Sequence, residues 1–225
     1  IAVDRKETYR VKIFGVLPGF LNHDRAIKYF ERVMSIAPYS DYAPLSLMNV
    51  AQIWAIKKND TLAIYALDRL IINYPKHFLT PDAYLKLGET HETLIRGPFY
   101  DQRSTEEAMR YFEDFMIRFP QNRSVDDAED GLENTQNEMA LSKLKIGDFY
   151  FYKRNRFHAA EVLYNEAITI APTSDTAELA RNRLTAVAAK RARFEEENRD
   201  KKVPSLEEMQ KKAEKRAKRR ILGIF

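Results

Sequence analysis

The residue types that most often carry out chemistry in proteins are scattered along this sequence. It has no Cys, which excludes a disulfide scaffold, a thiolate nucleophile and every Cys-ligated zinc site. His91-Glu92 begins like a zinc-protease motif, but the second histidine that should follow one helical turn later is missing. We therefore expect His91 to occupy a packed helix position rather than to bind a metal.

Signals for phosphate binding and for acid–base catalysis are also missing. The seven glycines do not cluster into a phosphate-binding loop. Acidic runs such as Asp126-Asp127 are typical of solvated helix faces, and aromatic residues at helical spacing, such as Phe112 and Phe115, indicate a hydrophobic core. The sequence thus predicts no catalytic residue, no metal site, no cofactor and no enzyme activity.

A pattern that ends in proline recurs along the chain. It consists of an alanine, a large apolar residue four positions later, an apolar or small residue seven positions later and a proline twelve positions later. The first three positions share one helix face, and proline ends the helix because it has no N–H to donate. The four copies are Ala26/Phe30/Val33/Pro38, Ala63/Leu67/Leu70/Pro75, Ala108/Phe112/Phe115/Pro120 and Ala160/Tyr164/Ala167/Pro172.

A second set of apolar and small residues precedes each of the last three copies and predicts a partner helix for each. Paired helices at such a period are typical of tetratricopeptide repeats, so we predict an all-α, right-handed superhelix of stacked helix–turn–helix pairs. The prolines lie 37, 45 and 52 residues apart, which makes the array irregular. We expect an insertion at 96–104, a long helix over about 124–153 and a capping helix over about 175–198.

The positive charge of the chain is concentrated at its C-terminus. The formal net charge is +4, yet residues 211–225 alone carry seven basic side chains and one acidic one. We expect a helical-repeat domain over 1–198 and a basic amphipathic extension over 199–225. Such an extension suits an acidic protein surface or anionic lipid headgroups, and its apolar end favours docking on protein. No aromatic residues interleave with its lysines, so we expect no nucleic-acid partner.

Two segments resemble the BamD/ComL-like outer-membrane assembly lipoproteins. The segment 63–77, AIYALDRLIINYPKH, is similar to the second repeat of that family, in which an Asp-Arg pair precedes a proline turn. The segment 149–160, FYFYKRNRFHAA, is similar to the stretch that opens the second helix of its fourth repeat. The insertion in the third repeat and the long helix after Phe119-Pro120 also match, so the resemblance covers about 20–198.

The resemblance implies a non-enzymatic scaffold at the periplasmic face of the outer membrane. Such proteins are anchored by a lipidated N-terminal Cys, which we expect upstream of residue 1. The resemblance further implies binding to the periplasmic domains of the barrel-assembly protein, to other assembly subunits and to segments of unfolded outer-membrane proteins. The alternatives are a generic tetratricopeptide adaptor of another envelope or cytoplasmic complex and, less favoured, a nucleic-acid-associated factor acting through the basic tail.

Two groups of residues are candidates for binding. The first helices of stacked pairs line a groove, and the residues next to their packing positions should point into it, where they could hold an extended or helical peptide. These residues are Met48, Gln52, Ala55, Leu85, Glu89 and Glu92. Basic and apolar residues of the C-terminal half could pair with a protein partner. They are Arg154, Arg156, Arg181, Arg183, Lys215, Arg216, Arg219, Arg220, Ile221 and Phe225.

Overall fold

The computed structural model describes residues 23–100 and 102–199, together with residues 210, 211, 213 and 214. Its helices are α1 (His23–Ile36), α2 (Tyr42–Ile56), α3 (Asp60–Asn73), α4 (Thr80–Thr93), α5 (Arg103–Arg118), α6 (Val125–Asp148), α7 (Phe157–Ile170) and α8 (Asp175–Arg199). The described residues contain no β-strand, and none of their helices is long and apolar enough to cross a membrane. The predicted all-α, tetratricopeptide-like fold is confirmed.

The four prolines of the repeated pattern stand where helices end. The second helices of the repeats, α1, α3, α5 and α7, each end two residues before Pro38, Pro75, Pro120 or Pro172. The backbone has left the helical region at the residue before three of these prolines: Tyr74, Phe119 and Ala171 have φ between −135° and −130°. A proline forces this, because its ring clashes with a helical conformation of the preceding residue.

Each helix packs against the next, and α6 also contacts α4 and α8. Buried residues lie along the whole array in three clusters, around Leu47, Leu67 and Leu87, around Phe112, and around Tyr164 and Val187. Because successive helices form antiparallel hairpins, their turns alternate between two edges of the array. We call the edge formed by the α2–α3, α4–α5 and α6–α7 turns the intra-repeat edge, and the edge formed by the other turns the inter-repeat edge.

The close approach of α4, α5 and α6 depends on two glycines that face one aromatic ring. Phe112 of α5 is 1% exposed. A Cβ added to Gly88 of α4 or to Gly131 of α6 would come within 2.5 Å of that ring. A Cβ added to Gly147 of α6 would likewise lie 2.7 Å from the ring of Tyr164 in α7. Because these glycines have no side chain, each ring packs directly against the backbone of the neighbouring helix.

The long helix α6 is followed directly by a π-helical turn, Phe149–Lys153. The helical stretch predicted over about 124–153 is therefore confirmed, and its last five residues are π-helical rather than α-helical. Asp148, the last residue of α6, accepts hydrogen bonds from the Tyr164 hydroxyl at 2.7 Å and from Arg183 Nε at 3.1 Å. Burial, together with this bond to Asp148, raises the pKa of Tyr164. One carboxylate thereby ties α6, α7 and α8 together beside the turn.

Replacing Gly88 or Gly131 with alanine should destabilise the protein. Each added methyl meets the buried Phe112 ring, and overpacking of this kind costs about 1–3 kcal/mol, more than the ~1 kcal/mol that alanine gains over glycine in a helix. The free energy of unfolding, measured in urea, should fall for Gly88→Ala and recover partly when Phe112→Leu is added. Gly88→Ala as stable as the parent protein would contradict this packing.

Replacing Asp148 with alanine should cost about 1–3 kcal/mol, because the buried Tyr164 hydroxyl loses its acceptor and Arg183 its partner. Glu133→Ala is the matched control, since Glu133 is an exposed carboxylate of the same helix and should change stability by less than about 0.5 kcal/mol. Equal urea midpoints for the two variants would show that Asp148 does not hold α7 and α8 in place.

Candidate functional site

A cleft of about 420 Å³ opens between α2 and α4, the first helices of the second and third repeats. Its floor includes Ala63 and Leu67 of α3, which are buried. The other lining residues are Ala51, Gln52, Ala55, Lys58, Asp60, Lys86, Glu89, Thr90 and Thr93. A cleft with an apolar floor and a rim of amide, hydroxyl and charged groups can hold a peptide by its backbone and by small apolar side chains.

The charges of this region are mixed, and part of them is neutralised locally. Lys86 Nζ lies 3.8 Å from Glu89 Oε2. Burial, and then the neighbouring Glu89 carboxylate, raise the pKa of Glu92 on the same helix. Next to Glu92, His91 stacks on the ring of Tyr111 with 5.5 Å between ring centroids, and burial lowers its pKa. His91 thus occupies a packed helix position, and the described residues contain no cluster of His, Asp or Glu that could hold a metal ion.

Three of the six residues expected in a peptide groove meet in this cleft. Gln52, Ala55 and Glu89 all line it. Leu85 is half-buried and packs against the core cluster that contains Phe112. Glu92 is half-buried on α4, outside the lining of the cleft.

Met48 does not lie on the groove surface where the helical spacing placed it. Its side chain is only 6% exposed and belongs to the core cluster with Leu47 and Val50. Both α1 and α3 pack against α2. The first half of α2 is therefore buried on nearly every side, and Met48 with it. Spacing within one helix does not reveal how many neighbours surround that helix.

The four arginines expected at a partner interface have two different surroundings. Arg181 donates to the carbonyl oxygen of Pro172 at 2.8 Å, and Arg183 is bound to Asp148. Arg154 and Arg156 are exposed in the turn between α6 and α7. The Arg154 guanidinium lies 5.4 Å from the centroid of the Phe149 ring. Within the described residues, this second pair can meet a partner without breaking a side-chain hydrogen bond or an ion pair, whereas Arg181 and Arg183 cannot.

The remaining expected partner residues lie outside the described residues. They are Lys215, Arg216, Arg219, Arg220, Ile221 and Phe225. The boundary between a repeat domain and a C-terminal extension at 198/199 therefore stays a prediction.

Sequence reasoning missed most of the polar rim of the cleft. Lys86, Glu89, Thr90 and Thr93 lie at offsets of 0, 3, 4 and 7 on one face of α4, so the pattern could have included them. Lys58 and Asp60 flank the α2–α3 turn, and Lys58 adopts a positive φ of 59° there. That conformation had no sequence signal, because the usual glycine is absent from the turn.

Comparison with known proteins places these features in a family. The model of the YfiO family, described as outer membrane lipoprotein, matches residues 21–205. The chain is also similar to the outer membrane protein assembly factor BamD of Caulobacter vibrioides, at 25% identity over 129 residues. That alignment covers 57% of this chain and 42% of the relative, so the chain spans less than half the length of the curated relative it matches.

The family model spans the whole array from α1 to α8, with its irregular insertion, long helix and capping helix. The resemblance found in the segments 63–77 and 149–160 is thereby confirmed. The chain belongs to the YfiO family of outer membrane lipoproteins and is a BamD-like, tetratricopeptide-type helical protein.

Proposed function

We propose that this chain is a non-enzymatic scaffold subunit of the machinery that assembles β-barrel proteins in the outer membrane. It works at the periplasmic face of that membrane, held there by a lipid on its N-terminal side. The name of the Caulobacter relative, an outer membrane protein assembly factor, supports this role. The cleft between α2 and α4 carries the binding part of the proposal, because it offers a bound segment both an apolar floor and a polar rim.

The substrate of the cleft is an extended segment of an unfolded outer-membrane protein. Strands of such proteins alternate apolar and polar side chains. The apolar face of such a strand fits the apolar floor of the cleft, and its polar face contacts the rim. Gln52 supplies both a donor and an acceptor for the peptide backbone. Glu89 and Lys86 on the opposite wall can pair with charges of either sign.

A tryptophan at position 55 should block the cleft. Ala55 is exposed at its mouth, so a larger side chain fills the space without disturbing the core. The affinity for a fluorescent peptide copied from the terminal β-strand of a barrel protein, measured by anisotropy, should fall about tenfold, the equivalent of ~1.4 kcal/mol. Gln52→Ala and Glu89→Ala should weaken it in the same direction.

The matched control is Ala188→Trp, which adds the same side chain to an exposed position of α8. Unchanged peptide affinity in Ala55→Trp, Gln52→Ala and Glu89→Ala would remove the cleft from the proposal. Equal weakening by Ala188→Trp would show that the added tryptophan acts non-specifically.

The barrel-assembly protein and other assembly subunits bind the C-terminal repeats together with the extension 199–225. The net charge of the extension and its apolar end suit a protein surface that offers carboxylates around an apolar depression. Pull-down from solubilised outer membranes with the full chain should recover the barrel-assembly protein, identified by mass spectrometry. A chain that stops after residue 199 should recover much less. Equal recovery by both would exclude the extension from the interface, and recovery by neither would favour a different envelope adaptor.

A further inference from the structure

The two edges of the array carry opposite charge. The turns of the intra-repeat edge, residues 57–60, 94–103 and 149–157, contain seven Lys or Arg and two Asp. The turns of the inter-repeat edge, counted with the first residues of the helices that follow them (37–42, 74–82, 119–127 and 171–175), contain two Lys or Arg and five Asp. Four of these Asp lie in the first turns of α4, α6 and α8. The charge difference between the two edges arises from several repeats rather than from one. One local contact in a single repeat therefore does not account for it.

Most cations of the intra-repeat edge form no ion pair with a carboxylate in the part of the chain that the structure describes. Lys57 is bound to Asp24 of α1. By contrast, five other cations are exposed and make no ion pair with the described residues: Lys58, Arg96, Lys153, Arg154 and Arg156. Unpaired cations repeated over successive turns produce a positive potential that reaches beyond the protein surface.

Exposed aromatic side chains stand among these cations. Phe99 and Tyr100, in the α4–α5 turn, are 70% and 62% exposed, and Phe149 and Tyr152, in the π-helical turn, are 43% and 50% exposed. Aromatic rings that are apolar at one end and polar at the other are favoured at the interface between a bilayer and water. The inter-repeat edge also exposes rings, at Tyr39, Tyr42 and Phe78. What distinguishes the intra-repeat edge is that its rings stand beside unpaired cations.

The turns that present these groups are held in fixed shapes. Gln102 donates to the Tyr100 carbonyl oxygen at 2.7 Å, and Ser142 of α6 donates to the Pro98 carbonyl oxygen at the same distance. In the α6–α7 turn, Asn155 adopts a positive φ of 48°, and its side chain accepts a hydrogen bond from Lys190 of α8 at 2.9 Å. The cations and rings are therefore displayed on rigid turns, which lowers the entropic cost of binding.

We propose that the intra-repeat edge lies against a bilayer leaflet that contains anionic phospholipids, with Lys153, Arg154 and Arg156 in the headgroup layer and Tyr100 and Tyr152 at its boundary. Basic residues supply the attraction to anionic lipids, and aromatic residues supply the burial at the interface. The opposite edge, with its excess of Asp, is repelled from the same surface. Helix α1 begins at the intra-repeat edge, the side from which a chain attached to the membrane through its N-terminal part would enter the array.

An acidic protein is the competing occupant for Arg154 and Arg156. A protein partner would need the residues that match its surface to lie in one patch. Here the unpaired cations and the exposed rings occur in both the third and the fourth repeat. The lipid proposal rests on the outer-membrane localisation within the proposed function. It is independent of what the cleft binds, and it requires that assembly subunits dock on the C-terminal repeats without covering Arg154 and Arg156.

Co-sedimentation of the full 225-residue chain, without its lipid, with two kinds of vesicle tests the proposal. Vesicles of phosphatidylethanolamine with added phosphatidylglycerol should bind the protein, and neutral vesicles of phosphatidylcholine should bind it much more weakly. Lys153→Gln/Arg154→Gln/Arg156→Gln should reduce the partition coefficient on the anionic vesicles at least about tenfold. Tyr100→Ser/Tyr152→Ser should lower the binding that survives at high salt, where the electrostatic attraction is screened.

The control variant removes three cations from the other side of the molecule, Lys76→Gln/Arg118→Gln/Arg123→Gln. All three are exposed at or beside the inter-repeat edge, and both triple variants keep the basic extension, so its contribution to lipid binding is the same in each. The control should bind within about twofold of the parent protein. Circular dichroism confirms that the compared proteins are equally folded.

Three outcomes overturn the proposal. Equal losses in the two triple variants would mean that only total charge matters, and unchanged binding in the first variant would mean that the edge does not touch lipid. Loss of the barrel-assembly protein from pull-downs, with vesicle binding intact, would assign the cations to a protein partner. The peptide assay with Ala55→Trp contains no lipid, so a failure of the cleft and a failure of the edge are distinguishable.

Discussion

The architecture depends on how closely neighbouring helices approach, and that distance is set where an aromatic ring meets a glycine. Phe112 fits only because Gly88 and Gly131, on the helices to either side, have no Cβ. Helices with larger residues there would move apart, and the cleft between α2 and α4 would change shape with them, because α4 belongs to both contacts. Gly147 and Tyr164 repeat the arrangement one repeat later. In the second repeat, Ala51 stands where the third repeat has Gly88, and Leu67 stands where it has Phe112. Alanine is larger than glycine and leucine is smaller than phenylalanine, so the summed side-chain volume of the pair is nearly the same.

Buried tyrosines add a polar constraint to this packing. The Tyr111 hydroxyl donates to Asp68 of α3 at 2.9 Å, as the Tyr164 hydroxyl does to Asp148, so each phenol lies in the core and still satisfies its O–H. Burial, with the bond to Asp68, raises the pKa of Tyr111 to about 12, which keeps the phenol a donor throughout the physiological range. The Tyr111 bond joins α5 to α3 of the preceding repeat, and the Tyr164 bond joins α7 to the C-terminal residue of α6 in the same repeat. The contacts therefore fix the angle between helices where apolar packing alone would tolerate rotation.

The sequence predicts those parts of the fold that depend on one helix at a time. Proline ends a helix whatever surrounds it, so the ends of α1, α3, α5 and α7 follow from Pro38, Pro75, Pro120 and Pro172. Properties that depend on several helices do not follow in this way. Met48 is buried because three helices meet around it, and Arg183 turns inward because Asp148 ends a helix 35 residues earlier. The charge difference between the edges likewise depends on the order and direction of the helices, which decide the end of the array on which each turn lies.

The cleft and the positively charged edge lie at the same end of the helices. Ala55 belongs to the last turn of α2, Thr90 and Thr93 to the last turn of α4, and Asp60 begins α3, so the lining of the cleft reaches the α2–α3 turn. Lys58 belongs to both features. If the edge rests on the leaflet, a segment held in the cleft is kept within a few residues' length of the membrane into which it must be inserted. In the proposed scaffold role the chain would contribute by position, because holding two reactants near each other raises their effective concentration.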